Sequence, residues 1–315
     1  MPYRMSEGKG SVRIEPADEG KRLDVFLASR TGLSRNRVQG LISDGHVRLD
    51  GKPARKNQIL CSAEEVTWEI PPPEPDEVVP EQIALSVVYE DESIVVIDKP
   101  AGMVMYPGPG HSGNTLLNAL ISRYPDIAGV GGAGRPGIFH RLDRGTSGLV
   151  AVARTEDVYL EMVKKVKNRE VEREYLALVT GEITGERGKI DAPMGRSVTN
   201  RKRMAVRQYD GRRAVTKFKV VERFTRGYTL VEVSLETGRT HQIRVHFSHI
   251  GNPVAGDPEY SRGGGKRELG LSRQFLHAFR LSFSHPVTGA PLQFQSELPD
   301  DLKQVLDYLR SASDG

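Results

Sequence analysis

Apolar residues follow two rhythms along this chain, and the switch between them outlines its fold. Short runs rich in Val, Ile, Leu and aromatic residues cover 87–89, 94–97, 149–153, 175–180, 215–224, 228–235 and 276–283. They read as strands, because β-branched and aromatic side chains fit a pleated, half-buried surface. Segments 114–123, 156–168 and 241–250 instead repeat their apolar residues every three or four positions, and a last helical pattern begins near Pro299. Strands outnumber helices, and several neighbouring strands are close enough for hairpin connections. The pattern therefore predicts a mixed, mainly antiparallel sheet flanked by helices, an α+β architecture without internal repeats.

Residues 21–56 differ in kind. Leu23, Phe26 and Leu27 form one apolar stripe, and Val38, Leu41 and Ile42 form a second, with Ser34 as N-cap and Gly45 as stop. Asp50-Gly51 is a two-residue hairpin turn, and Val66, Trp68 and Ile70 alternate as a closing strand. A proline-rich acidic stretch, Pro71-Pro72-Pro73-Glu74-Pro75-Asp76-Glu77, then breaks every periodicity and reads as a stiff linker. The expected organisation is a small domain over 11–70, a linker over 71–82 and a large domain over 83–311. A chain of 315 residues is long enough for this division.

Charge sharpens the picture. The formal net charge is only +4. Residues 21–60 nevertheless hold nine Lys or Arg against three Asp. A basic small domain on a near-neutral large one points to an anionic partner at one end. A second basic stretch, 199–217, supplies Arg201, Lys202, Arg203, Arg207, Arg212, Arg213 and Lys217 against Asp210 alone, and reads as an insertion that grips an anionic partner. Cys61 is the only cysteine, so an intramolecular disulfide is excluded and a reducing cytoplasm is expected. The polar N-terminus lacks a signal-peptide core, and no run of 18 apolar residues exists, so neither secretion nor membrane insertion is expected.

The chemistry concentrates in His140-Arg141-Leu142-Asp143-Arg144-Gly145-Thr146-Ser147-Gly148. One carboxylate stands between two arginines, immediately before an apolar run that reads as a buried strand. An arginine neighbour keeps such a carboxylate ionised and oriented. The small residues would let a substrate come close, with Thr146 and Ser147 satisfying the loop's own amides. Three other motifs imply less. Gly129-Val130-Gly131-Gly132-Ala133-Gly134 fits a dinucleotide fingerprint but lacks the preceding strand and following helix. His241, His246 and His249 lack the companions of a zinc site. His140-Arg141-Leu142-Asp143 has no phosphate loop or metal-binding triplet to make a kinase. No metal, nucleotide or other cofactor is expected.

Four ordered segments resemble the RluA-type RNA pseudouridine synthases. The nine residues around Asp143 resemble the catalytic-aspartate motif. Asp98-Lys99-Pro100-Ala101-Gly102 is similar to the upstream K-P-x-G loop, and Arg173-Glu174-Tyr175-Leu176-Ala177 to the tyrosine segment. Gly238-Arg239-Thr240-His241-Gln242-Ile243-Arg244-Val245-His246 resembles the family's G-R-T-H-Q-I-R-x-H signature. The likeness is greatest to the subgroup acting on large-subunit ribosomal RNA. It implies Asp143 as the essential group, attacking the sugar's anomeric carbon or the uracil ring, or stabilising charge at the sugar. Tyr175 would stack on the uracil and assist proton removal. Arg244 would pair with Asp143, while Arg239 and His241 would serve structure or phosphate contact and Arg141 would support the loop or receive the RNA backbone. Residues 11–70 resemble an alpha-L RNA-binding module, whose basic face would include Arg35, Arg37, Arg48, Lys52, Arg55 and Lys56. Large-subunit ribosomal RNA or its precursor particle is the expected partner, bound by a monomer. Tyr106 departs from the subgroup, where histidine is common, and this puts the exact target site in question. A catalytically inactive RNA-binding factor and a nucleosidase are the alternatives. The intact Asp143, Tyr175 and Arg244 set argues against the first, and the lack of a second motif-borne acid against the other.

Overall fold

The computed structural model describes residues 8–33, 35–55, 57–70, 78–108, 111–131, 135–200, 203–261 and 269–311, with the side chains of Asn36 and Arg37 also outside the description. The chain divides into two compact units, 1–77 and 78–315.

The first unit holds β1 (Gly8–Arg13), α1 (Leu23–Thr31), α2 (Arg35–Ser43), β2 (Val47–Leu49), β3 (Lys52–Pro53) and β4 (Glu65–Ile70). Its antiparallel sheet runs β1-β4-β2-β3, and both apolar helix stripes pack on Val47, Leu49, Val66 and Ile70. Asp50 (φ +48°) and Gly51 (φ +73°) are both left-handed, as a two-residue turn matched to strand twist requires. β4, expected to close the sheet, lies inside it, because β1 adds on its far side; Gly-Lys-Gly-Ser gives no apolar signal for that strand. Ser34 and Lys56 lie outside the described residues.

In the first turn of α1, Asp24 is fully buried. Arg22 grips both its oxygens at 3.0 Å, Arg35 donates at 3.0 Å and Gln39 at 2.6 Å. The Arg22 guanidinium, against the opposing effect of burial, holds this carboxyl well below the usual carboxylate range. Arg35, expected on a phosphate-facing surface, ties α2 to α1 through that carboxylate while its side chain stays exposed.

The second unit contains β5 (Ser86–Glu90), β6 (Ile94–Lys99), α3 (Leu116–Arg123), β7 (Ser147–Ala153), α4 (Glu156–Asn168), β8 (Glu172–Thr180), β9 (Arg187–Asp191), β10 (Met194–Arg196), β11 (Met204–Val206), β12 (Val215–Phe224), β13 (Tyr228–Leu235), α5 (Gln242–His249), β14 (Leu276–Ser284), β15 (Pro291–Gln295) and α6 (Asp300–Ser311). Its large sheet runs β5-β6-β7-β14-β8-β13-β12-β9, with β15 also on β14, and only the β7–β14 pairing is parallel. The mixed, mainly antiparallel α+β fold of the sequence pattern is thus the observed one. Residues alternate between faces along each strand. Val95, Ile97, Val150 and Val152 pack with α3 and α5, while Ile94, Val96, Leu149 and Ala151 pack with α4. Helix α6 covers the same face as α4 nearer Leu178 and Leu230.

Residues 78–82, assigned to the linker from their lack of periodicity, are fastened to the second unit. Val78 packs on its core, the Glu81 carboxylate accepts the Asn114 N–H at 3.0–3.1 Å, and the Asn118 amide donates to the Val79 carbonyl at 2.8 Å.

Candidate active site

Asp143 sits in the loop that enters β7, and the protein's own packing fixes that loop. A side chain at Gly145 would collide with Gln274, and one at Gly148 (φ +112°) with the backbone of Ala278. Gln274 donates to the Thr146 hydroxyl at 3.2 Å, Ser147 shares a 2.9 Å hydrogen bond with His277, and Arg273 donates to the Gly145 carbonyl at 3.1 Å. The small residues thus serve close contact with the segment entering β14. Thr146 and Ser147 bond to that segment rather than to their own loop's amides.

The K-P-x-G loop holds the other side. Lys99 is fully buried at the end of β6, and its ammonium donates to the carbonyls of Pro100 (2.8 Å), Met103 (3.0 Å) and Arg144 (3.4 Å). Burial pulls its pKa down to about 7, with the Asp143 charge acting in opposition. Arg144 donates to the Gly102 carbonyl, and Arg141 to the Tyr106 hydroxyl at 2.7 Å. Neither flanking arginine reaches the carboxylate, against the expectation from adjacency: Arg141 turns to Tyr106, and Arg144, in the turn closed by the Thr146 N–H on the Asp143 carbonyl at 3.1 Å, turns to Gly102.

The partner of Asp143 comes from α5, where Arg244 Nη1 donates to Oδ2 at 3.2 Å. Arg244 is itself held by Asp257, whose Oδ2 accepts from Nε at 2.7 Å and whose Oδ1 accepts from Nη2 at 2.9 Å. Glu259 accepts from Nη2 at 3.0 Å, and the Tyr260 ring lies 5.0 Å from the guanidinium carbon. Burial alone would weaken the Arg244 charge; the Asp257 bonds and the surrounding carboxylates more than reverse that.

His241 caps α5 in the left-handed conformation (φ +57°). Its Nε2 lies 3.9 Å from Asp143, and its Nδ1 shares a 2.8 Å hydrogen bond with the Tyr260 hydroxyl. Burial lowers its pKa. Arg239 lies exposed in the turn before the helix, as its spacing from Arg244 suggested. Tyr175, on β8, is 5% exposed, and burial, reinforced by the Asp143 charge, raises the pKa of its hydroxyl. That hydroxyl has no hydrogen-bond partner among the described residues.

Together these groups line a cavity of about 470 Å³, a size suited to small ligands. Six Lys or Arg and two carboxylates, Asp143 and Glu236, contribute to its wall. The structure therefore brings Asp143, Tyr175, Arg244, Arg141, Arg239 and His241 to one place. Lys52 is exposed on β3 and Arg203 beside the β10–β11 hairpin; Arg201 and the Arg37 side chain lie outside the described residues. Part of the 199–217 charge is offset internally: Arg207 pairs with Asp210, and Arg213 and Lys217 share the single carboxylate of Glu236 with Arg169. Asp257 and Glu259 gave no sequence signal, since nothing nearby in the chain hints at their company, and Arg173 stood in the tyrosine segment without a role of its own. No cluster able to hold a metal ion occurs among the described residues.

A half-buried carboxylate paired with a buried arginine thus lies beside a tyrosine in a cation-rich cavity on a mixed sheet, an arrangement suited to an anionic substrate such as a nucleic acid. The RNA pseudouridylate synthase family model matches residues 93–249, and the S4 domain model matches 21–66. A relative named as an uncharacterized RNA pseudouridine synthase of Chloroflexus aurantiacus is 49% identical, covering 95% of this chain and 93% of its own. Ribosomal large subunit pseudouridine synthase D of Pseudomonas aeruginosa is 44% identical over 92% of each chain. Among solved structures, human RNA pseudouridylate synthase domain containing 4 superposes with a TM-score of 0.56 and 25% identity, over 71% of this chain and 93% of its own. This chain belongs to the RluA-type RNA pseudouridine synthase family and carries an N-terminal S4 domain. None of its described helices is long and apolar enough to cross a membrane.

Proposed function

We propose that this enzyme isomerises specific uridines of large-subunit ribosomal RNA to pseudouridine, with Asp143 as the essential group. The observation that carries the reading is the 3.2 Å contact between Asp143 and Arg244 beside Tyr175, in a cavity wide enough for one flipped nucleotide. The choice of RNA rests on the names of the similar ribosomal large subunit enzymes. A single cysteine fits action in the cytoplasm.

In this reading an Asp143 oxygen bonds the sugar C1′ as the C1′–N1 pair leaves on the uracil. The base turns on the Tyr175 ring, and C5 then attacks C1′ and displaces the carboxylate. A raised pKa keeps the Tyr175 hydroxyl protonated near neutrality. It can take the C5 proton only by passing its own onward, and the released Asp143 carboxylate is the nearby acceptor. N1 gains a proton, so atoms balance as an isomerisation requires. The exposed Arg141 and Arg239, with Arg35, Arg37 and Lys52 earlier in the chain and Arg201 and Arg203 between them, would hold RNA phosphates.

The test uses ribosomal RNA carrying tritium at uridine C5, since reattachment through C5 must release it to water. Wild-type protein should release tritium and leave pseudouridine at mapped positions. Asp143→Asn should bind RNA normally and release none. Tyr175→Phe should cleave the glycosidic bond without completing tritium release. Turnover by Asp143→Asn, or free uracil from wild type, would overturn the proposal.

A further inference from the structure

Arg173 is 9% exposed, yet its guanidinium has neither a carboxylate nor a hydrogen-bond acceptor among the described residues; its Nε is buried without a partner. Strand geometry explains the isolation. Along β8 the inward positions are Arg173, Tyr175 and Ala177, so neighbouring Glu174 points to the other face, where it pairs with Arg280 at 2.7 Å. The remaining carboxylates of the cavity are engaged, Asp143 by Arg244 and Glu236 by Arg169, Arg213 and Lys217. Arg173 Nη1 lies against Gly238, where an added side chain would approach to 3.1 Å. An arginine cannot shed its proton to escape burial, so an unpaired one is a standing destabilisation. Arg173 and Tyr175, two residues apart on the same strand face, both line the cavity, so the arginine's charge lies within reach of its occupant.

We propose that Arg173 is a catalytic residue that binds the detached uracil as its anion, through the carbonyl oxygens of the base. The inference rests on the pseudouridine-forming reading above. When C1′–N1 breaks, the bonding pair leaves on N1 and spreads to O2 and O4 of the uracil, while an Asp143 oxygen satisfies C1′. When C5 attacks C1′, the base returns a pair to the sugar, the carboxylate departs, C5 loses its proton and N1 gains one. The base is anionic only between these two events. A fixed, otherwise unpaired cation then stabilises an intermediate more than the bound substrate, which is what raises kcat. Phosphodiesters meet the exposed rim cations Arg135, Arg141, Lys167 and Arg239 first.

The experiment compares full-length wild type, Arg173→Met and Arg173→Lys for thermal unfolding, RNA affinity against salt, and tritium release at saturating RNA. Arg173→Met should unfold at the same or a higher temperature, because it removes an uncompensated charge. Its affinity and salt slope should match wild type, while kcat falls about 100- to 1000-fold, the scale of losing one preorganised charge-stabilising donor. Arg173→Lys should recover part of kcat. Unchanged turnover in Arg173→Met would overturn the inference. So would weaker affinity with a salt slope shallower by about one and full kcat at saturation, which would make Arg173 a phosphate contact. A melting temperature lowered by more than about 5 °C in Arg173→Met, with full recovery in Arg173→Lys, would make the residue structural. If wild type releases no tritium from any uridine RNA, the functional reading itself fails, which differs from a failure confined to the variants.

Discussion

Replacing Asp257 by Asn keeps the side chain's shape and removes only its charge and one acceptor. Asp257 is 1% exposed, and its two oxygens have no slack. Oδ1 accepts the backbone N–H groups of Glu259 (2.8 Å) and Tyr260 (3.1 Å) as well as Arg244 Nη2, and Oδ2 accepts Arg244 Nε. An asparagine must therefore point its NH₂ at a donor in either orientation. In the less damaging one it faces Arg244 Nε, so a charge-assisted bond worth about 1.5–3 kcal/mol disappears and a donor–donor clash replaces it. With the loss of pairing to a nearly buried guanidinium, the total should approach the roughly 3–5 kcal/mol of a broken buried ion pair.

For a unit the size of residues 78–315, about 2–4 °C accompanies each kcal/mol, so Asp257→Asn should unfold roughly 6–20 °C lower. Arg244 must also turn away from Asp143, and a misplacement near one ångström typically lowers turnover about 100-fold. RNA affinity should not change, because Asp257 offers no surface to RNA. Thermal unfolding and tritium release at saturating RNA measure the two effects. A melting temperature within about 2 °C of wild type, with turnover within about threefold, would refute the view that Asp257 sets the Arg244 guanidinium.

His140 gives a pH signature. Its Nε2 accepts the Ala151 N–H at 2.9 Å, and burial, with Arg173 adding to it, drives its pKa down to about 3. The unfolded chain takes up this proton near pH 6.5 and the folded one does not, so the stabilisation is present above about pH 6.5 and lost as pH falls toward 3. His140→Gln should flatten that acid limb of melting temperature against pH; a limb of unchanged slope would remove His140 as its source. Cutting the chain within 71–77 should leave a catalytic unit that binds RNA more weakly, with a salt slope shallower by about 0.7–0.9 for each phosphate that the S4 domain no longer neutralises. Identical slopes for cut and full-length protein would reduce the basic S4 surface to solvated charge.

Where one face of an element is apolar, the sequence was readable. The apolar runs at 215–224 and 228–235 became β12 and β13 with those bounds, and the helical pattern at 156–168 became α4. Strands β9, β10, β11 and β15 left little trace, because they are short or alternate only weakly against solvent. Asp143 and Arg244 were legible through flanking motifs despite 101 residues between them. Asp257 and Glu259 were not, since their meeting with Arg244 exists only after the chain returns past α5. Basic stretches hid their local partners: Arg35, Arg207, Arg213 and Lys217 read in sequence as free charges but have carboxylate partners in the fold. Arg173 carried no assigned role in the sequence, and the strand's alternation separates it from its neighbour Glu174.

This uneven compensation of charge has a mechanistic consequence. Arg244 faces Asp143, Asp257 and Glu259 at once, so one guanidinium is surrounded by three carboxylates. A cation so surrounded has little capacity to neutralise charge developing elsewhere. In the proposed reaction its role would be directional, holding Asp143 at a fixed angle through the 3.2 Å contact while leaving the carboxylate electron-rich. The loop beneath is equally constrained, with the Lys99 ammonium on the Arg144 carbonyl and Arg273 linking the Gly145 carbonyl to Asp301 of α6. In the proposed reaction a carboxylate fixed in this way would lose little in reorganisation when the sugar arrives. The negative charge leaving with the base would then have to be met by a different group. Arg173 is buried on the tyrosine's own strand face and free of carboxylates among the described residues, which leaves its charge available when the glycosidic bond opens.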